Sequence, residues 1–111
     1  MASFPARGQF AEAMYSMDDL LQLARTERAE MLKLHIGRPP VMVREGKRHV
    51  VEGPAITAGD AEEFLLHIAN TRQRRQIREH GWAQFFYLFR HRTRFLVLAA
   101  IEEQGVGFEI E

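Results

Sequence analysis

Two apolar runs late in the chain, WAQFFYLF at 82–89 and FLVLAAI at 95–101, constrain the fold more than any other feature. Both are rich in aromatic or branched residues, and the linker RHRT predicts that they form an antiparallel hairpin. Successive side chains of a strand point to opposite faces, so Trp82, Phe86 and Leu88 fall on one side and Ala83, Phe85, Tyr87 and Phe89 on the other. Both sides are apolar. Leu96 and Leu98 stand in the same way against Phe95, Val97 and Ile101. An antiparallel sheet covered by helices on one face normally wets the other, so this hairpin calls for a second cover: the N-terminal extension or another protein chain.

Upstream, Met17, Leu20, Leu21 and Ala24 recur at the i, i+3, i+4, i+7 spacing of an amphipathic helix. It is predicted over about residues 11–28, with Asp18, Asp19 and Arg25 outside and Ser16 able to cap a helix that starts there. Leu32, Leu34 and Ile36 alternate with Lys33 and His35, the pattern of a half-buried strand. Gly37 to Pro40 breaks that strand, because neither proline can donate to a ladder; Val41, Met42 and Val43 then resume pairing. Glu45-Gly46-Lys47 predicts a hairpin turn, and residues 48–52 a returning strand. Thr57 with Asp60 three residues on predicts an N-cap ahead of a second helix marked by Ala61, Phe64, Leu65 and Ile68. TRQRRQIREH, residues 71–80, predicts a third, mostly solvated helix with Ile77 as its one large apolar residue and Gly81 as its C-cap. Gly105-Val106-Gly107 reads as a turn before a short last strand at 108–110.

The order helix, three strands, two helices, three strands predicts an α+β fold, an antiparallel sheet of about five to six strands with helices packed on one face. Residues 17–111 are expected to form a single domain and residues 1–16 an N-terminal extension.

Several function classes are excluded or disfavoured. With no cysteine there is no disulfide, thiolate metal site or cysteine nucleophile, which fits a reducing cytoplasm. The run at 95–101 is too short to span a bilayer. His35, His49, His67, His80 and His91 lack the close spacing of a metal site, and Ser3 and Ser16 are in no nucleophile elbow. The adjacent acid pairs Asp18-Asp19, Glu62-Glu63 and Glu102-Glu103 do not face each other within an element, and no phosphate-cradling G-x-x-x-x-G-K-[ST] motif is present. No catalytic, cofactor-binding or metal-ligating residue is therefore expected, and the chain is not read as an enzyme.

The net charge of zero hides an uneven distribution. Arg72, Arg74, Arg75, Arg78, Arg90, Arg92 and Arg94 crowd one stretch against the single acid Glu79, and every charge after Leu96 is acidic. The plain reading is a solvated helix with local pairs such as Arg75–Glu79. The functional reading is an interaction surface formed by these arginines, with Arg38 at the tip of the proline loop and an apolar strand face of Phe85, Tyr87, Phe89, Leu96 and Leu98. An acidic protein face suits it better than nucleic acid, because the strand aromatics are accounted for as core.

LKLHIGRPPVMVREG, residues 32–46, resembles the N-terminal segment of PilT-type ATPases, the retraction motors of type IV pili. In that family an L-H-L strand leads to a G-x-P-P loop, a second strand and a D-G turn, and Leu32, Leu34, Gly37, Pro39, Pro40 and Gly46 fall in register with it. MDDLLQLARTERAE occupies the place of the family's first helix, TRQRRQIREHG is similar to its Q-R-x-x-F-E-E helix, RFLV to its R-F-R-V strand, and EEQGVG to its Q-x-R-G-x-G turn. The resemblance implies a PAS-like α+β domain, which in the family precedes a RecA-like ATPase domain and packs on a neighbouring subunit of a hexameric ring. The Walker boxes of that ATPase are absent from this chain. Leu96 stands where the family's second R-F-R arginine would be, Gln104 replaces the arginine before the glycine, and Leu98 and Ile101 are apolar where the family's strands are polar.

The combined expectation is a cytoplasmic, non-catalytic protein-interaction or regulatory module related to pilus and secretion ATPases. Its partner would be such an ATPase, a regulator of one, or a second copy in a homodimer, with no membrane insertion. The alternative is a PAS-like small-ligand sensor using His35, His67 or Trp82 as polar contacts, although no residue stands out as a cofactor ligand. Phosphate or nucleic-acid binding through the arginines carries the least weight.

Overall fold

A computed structural model describes residues 14–111. The described residues form three helices and six strands in the order α1 (Met17–Thr26), β1 (Met31–Leu34), β2 (Val41–Arg44), β3 (Lys47–Val50), α2 (Ala58–Ile68), α3 (Thr71–His80), β4 (Trp82–Phe89), β5 (Thr93–Glu102) and β6 (Gly105–Ile110). The six strands make one antiparallel sheet in the order β3-β2-β1-β6-β5-β4. This is an α+β fold.

Local chemistry fixes the helix ends. The Ser16 side chain accepts from the Asp19 N–H, which starts α1 at Met17. Residues 11–13 of the expected helix lie outside the described residues. Thr57 and Asp60 form a reciprocal capping box at the start of α2, as their spacing predicts, and Asn70 with Gln73 forms a second at the start of α3. Gly81 ends α3 in the left-handed region at φ 88°, where a side chain would be strained. The β2–β3 turn places both Glu45 and Gly46 at positive φ, the two-residue turn whose twist matches antiparallel strands.

Three strand boundaries differ from expectation. β1 stops at Leu34, and Ile36 leaves the sheet for a parallel bridge with Ile56. β3 stops at Val50, after which the Val51 N–H turns to the Pro40 carbonyl. Gly105-Val106-Gly107 is not a turn but the first half of β6, pairing with Glu102, Ile101 and Ala100. The turn lies before it at Glu103-Gln104, which frees both glycines to extend as strand.

All three helices contribute to a core on one face of the sheet. Leu20, Leu21 and Ala24 of α1, Phe64 and Ile68 of α2, and Ile77 of α3 join one buried cluster with Leu32, Leu34, Phe85, Phe89, Phe95, Val97, Phe108 and Ile110. The pair Ala83↔Ala99, both fully shielded, supplies the small side chains that allow helices to approach the strands closely. Asp60 is 0% exposed and is the one buried charged residue described. Its carboxylate accepts the Met14 and Tyr15 N–H groups on Oδ1 and the Thr57 N–H and hydroxyl on Oδ2. One side chain thus ties the entry to α1 to the first turn of α2.

Asp60→Ala orphans these donors and should cost about 2–4 kcal/mol of unfolding free energy in urea titrations, with Asp60→Asn losing less because one acceptor oxygen remains. Phe89→Ala, in the core, should cost about 3–5 kcal/mol, while Phe86→Ala on the same strand should change stability by less than about 1 kcal/mol.

Candidate protein interface

The cross-strand register sorts the side chains of β4 and β5 onto two faces. Phe85↔Val97 and Tyr87↔Phe95 lie under the helices, whereas Trp82↔Ala100, Gln84↔Leu98, Phe86↔Leu96 and Leu88↔Arg94 lie on the opposite, open face. The expected apolar surface of Phe85, Tyr87, Phe89, Leu96 and Leu98 is therefore corrected. Phe85 at 8% and Phe89 at 0% exposure are core residues, so these two are not surface contacts, while Tyr87 is half-buried on the helix-covered face beside His67. Leu96 and Leu98 are half-buried on the open face. Their true neighbours there are Trp82, Phe86 and Leu88, which are 50%, 58% and 53% exposed. The guanidinium of Arg94 lies 4.5 Å from the centre of the Phe86 ring, a cation–π contact that partly covers it.

The seven clustered arginines do not form one patch. On α3, Arg74 and Arg78 border a groove with Leu65 and Leu66 of α2 and Ile101 and Val106 of the sheet. Arg72 and Arg75 turn the other way, towards β4, and line a groove that ends at Trp82. The helical spacing pairs Arg74 with Arg78 and Arg72 with Arg75. Arg74 donates to the Ala69 carbonyl and so helps hold the α2–α3 corner. The expected Arg75–Glu79 pair does not form: among the described residues, no carboxylate lies within ion-pair distance of Arg72, Arg74, Arg75 or Arg78. At the β4–β5 tip, Arg90 and His91 adopt positive φ without glycine. Arg90 donates to Gln22 of α1 at 3.2 Å and sits over Phe89, and Arg92 is exposed. Arg38 is exposed on the proline loop, in a shallow groove with His35, Glu102 and Gln104.

The three residues proposed as ligand contacts stand apart. The His35 Nδ1 is 2.8 Å from Glu102, the His67 Nε2 is 2.9 Å from Asp18, and Trp82 is on the open face. Among the described residues, no group of three histidine or acidic side chains is placed to hold a metal ion. Burial, with Asp60 nearby, raises the Tyr15 pKa; burial, with Asp18 nearby, raises that of Tyr87. Both phenols therefore stay neutral and structural. The Tyr15 hydroxyl donates to the Pro54 carbonyl.

Alternation yields two apolar sets without saying which one the helices cover. The Ala83↔Ala99 pair carried the missing signal, since small residues mark the side a helix approaches.

No protein-family model and no curated protein matches the chain. Solved structures share its fold, among them the following three. The pilus retraction motor PilT, crystallised with bound ADP, superposes with a TM-score of 0.79 at 18% identity, over 87% of this chain and 29% of that one. The ATPase DotB of Legionella pneumophila gives 0.63 at 17% identity, over 85% of this chain and 27% of that one. DotB of Yersinia pseudotuberculosis gives 0.66 at 10% identity, over 97% of this chain and 30% of that one. The chain thus spans less than a third of each, and at these identities the likeness is one of fold. Its fold is thus shared with part of PilT and part of the DotB ATPases, in keeping with the helix, G-x-P-P and arginine-helix motifs.

Proposed function

We propose that this chain is a non-catalytic interaction or regulatory module of the pilus and secretion ATPase systems, docking through the open face of its sheet. The observation that carries the reading is the group Trp82, Phe86, Leu88, Leu96 and Leu98 on a face that no helix covers among the described residues. Aromatic and aliphatic anchors on a rigid strand pair are what the centre of a protein interface requires. The partner is a PilT-type ATPase or a regulator of one, and the arginines of α3, which have no carboxylate partner among the described residues, bias the encounter towards an acidic surface. A homodimer through the same face is the second reading, favoured by the apolarity of that face. The small-ligand reading is weaker, since His35, His67 and Trp82 do not converge. The chain carries no Walker motif, so ATP hydrolysis would belong to the partner. This reading places the protein in the cytoplasm with such motors.

The test is binding of a purified PilT-type ATPase to the chain by interferometry, with sedimentation of the chain alone. Phe86→Asp with Leu98→Asp should weaken binding, or dissociate a dimer, by at least about tenfold while the far-ultraviolet circular dichroism is kept. Unchanged affinity and unchanged mass in this variant would overturn the open face as the contact. The chain alone should release no phosphate from Mg-ATP, and turnover that purifies with it would overturn the non-catalytic reading.

A further inference from the structure

β4 closes one end of the sheet, and among the described residues its outer edge has no partner strand. The ladder register shows which of its residues face outward. The Ile101 N–H donates to the Gly81 carbonyl at 2.8 Å, and the pairing continues with Ala83↔Ala99, Phe85↔Val97 and Tyr87↔Phe95. Hydrogen-bonded pairs alternate along an antiparallel ladder, so these odd-numbered residues direct their N–H and C=O groups to β5. Trp82, Gln84, Phe86 and Leu88 direct theirs away from the sheet. The same four side chains stand exposed on the open face.

The two edges of the sheet differ. β3, at the far end, is four residues long and carries Lys47 and Arg48, the kind of charge that blocks edge pairing. β4 is eight residues long, WAQFFYLF, with neither charge nor proline. Charge reaches it from α3 on the helix side and, on the open face, from Arg94 of β5 over Phe86. Arg72 faces Gln84 and Phe85 across a cleft, and Arg75 continues the row towards Trp82, where Glu79 and His80 end it.

We infer that β4 accepts an extended segment of a partner protein as a seventh strand, with side chains alternating between apolar and acidic. Residues of that segment opposite Gln84, Phe86 and Leu88 share the open face and meet Phe86 and Leu88. Their neighbours project to the helix side, where Arg72 and Arg75 lack a carboxylate among the described residues. Strand addition of this kind takes affinity from backbone bonds and specificity from alternate side chains. A second copy is a poorer occupant. A twofold pairing that uses the outward groups of both strands centres on Phe85 and brings the two Arg72 side chains together. The inference rests on the reading of the chain as an interaction module.

The test titrates the chain with synthetic peptides of about eight residues, long enough to cover β4. Trp82, the one tryptophan, reports by fluorescence, and amide exchange by NMR reports residue by residue. An alternating Val–Glu peptide should bind at least about tenfold more tightly than an alternating Val–Lys peptide, and should protect the amides of Gln84, Phe86 and Leu88. N-methylation of its valines, whose N–H groups face β4, should abolish binding; N-methylation of its glutamates should not. Equal affinity for the Val–Lys peptide would overturn the acidic partner. Binding that ignores N-methylation, or no protection at β4 with any peptide, would overturn strand addition and leave the open-face module standing. A concentration-dependent dimer of the free chain that protects the Gln84 amide would make the occupant a second copy. Loss of ATPase binding in the open-face variant is an independent readout, so the two readings can fail separately.

Discussion

Three helices of 10, 11 and 10 residues can cover one face of this six-stranded sheet and no more. At about 1.5 Å rise per residue each is roughly 15 Å long, against a sheet roughly 25 Å across its strands. They pack on the face that holds Phe89 and Phe108, and among the described residues no helix covers the second face. That second face is not uniform. Across β1 and β6 it presents the pair Lys33↔Glu109, whereas across β4 and β5 it presents Phe86↔Leu96. One half is thus suited to water and the other is not, so the missing cover is local, the size of a docked partner element rather than of a second helical layer.

Element order and several boundaries were legible because they rest on local chemistry. The Thr57–Asp60 capping box, the Gly81 cap and the Glu45-Gly46 turn each require particular residue types at fixed spacing, and each stands where the spacing places it. Asn70 and Gln73 carry the same capping signature and were equally available. What the sequence could not reveal is tertiary. Tyr87 and Phe86 are both aromatic, in adjacent positions of one strand, and only the seating of the helices, with His67 of α2 beside Tyr87, decides that Tyr87 is half-buried and Phe86 exposed. Likewise, the arginines of α3 are contiguous as text, but the helix turns Arg72 and Arg75 towards β4 and Arg74 and Arg78 towards α2.

The proline loop is an architectural corner. Pro39 and Pro40 cannot join a ladder, so the backbone there is secured from outside it: the Gly37 N–H donates to the Ile56 carbonyl, and the Ile56 N–H to the Arg38 carbonyl. Two short strands are redirected and the approach to α2 is pinned in one step. Buried Asp60 then fixes the start of α2 itself against the segment entering α1.

Fold and surface have separated in this chain. At 18% identity to PilT the superposition still reaches a TM-score of 0.79, because corners, caps and alternation tolerate wide substitution. The positions where the chain departs from the motifs it resembles fall outside the buried core. Leu96 and Leu98 lie half-buried on the open face, and Ile101, 55% exposed, borders the groove beside Arg74 and Arg78. Apolar residues that do not enter the core add nothing to its packing and expose hydrocarbon to water. Their placement beside Phe86, Leu88 and the α3 arginines is coherent if that surface is covered when the protein works, and it directs attention to the β4–β5 side of the molecule.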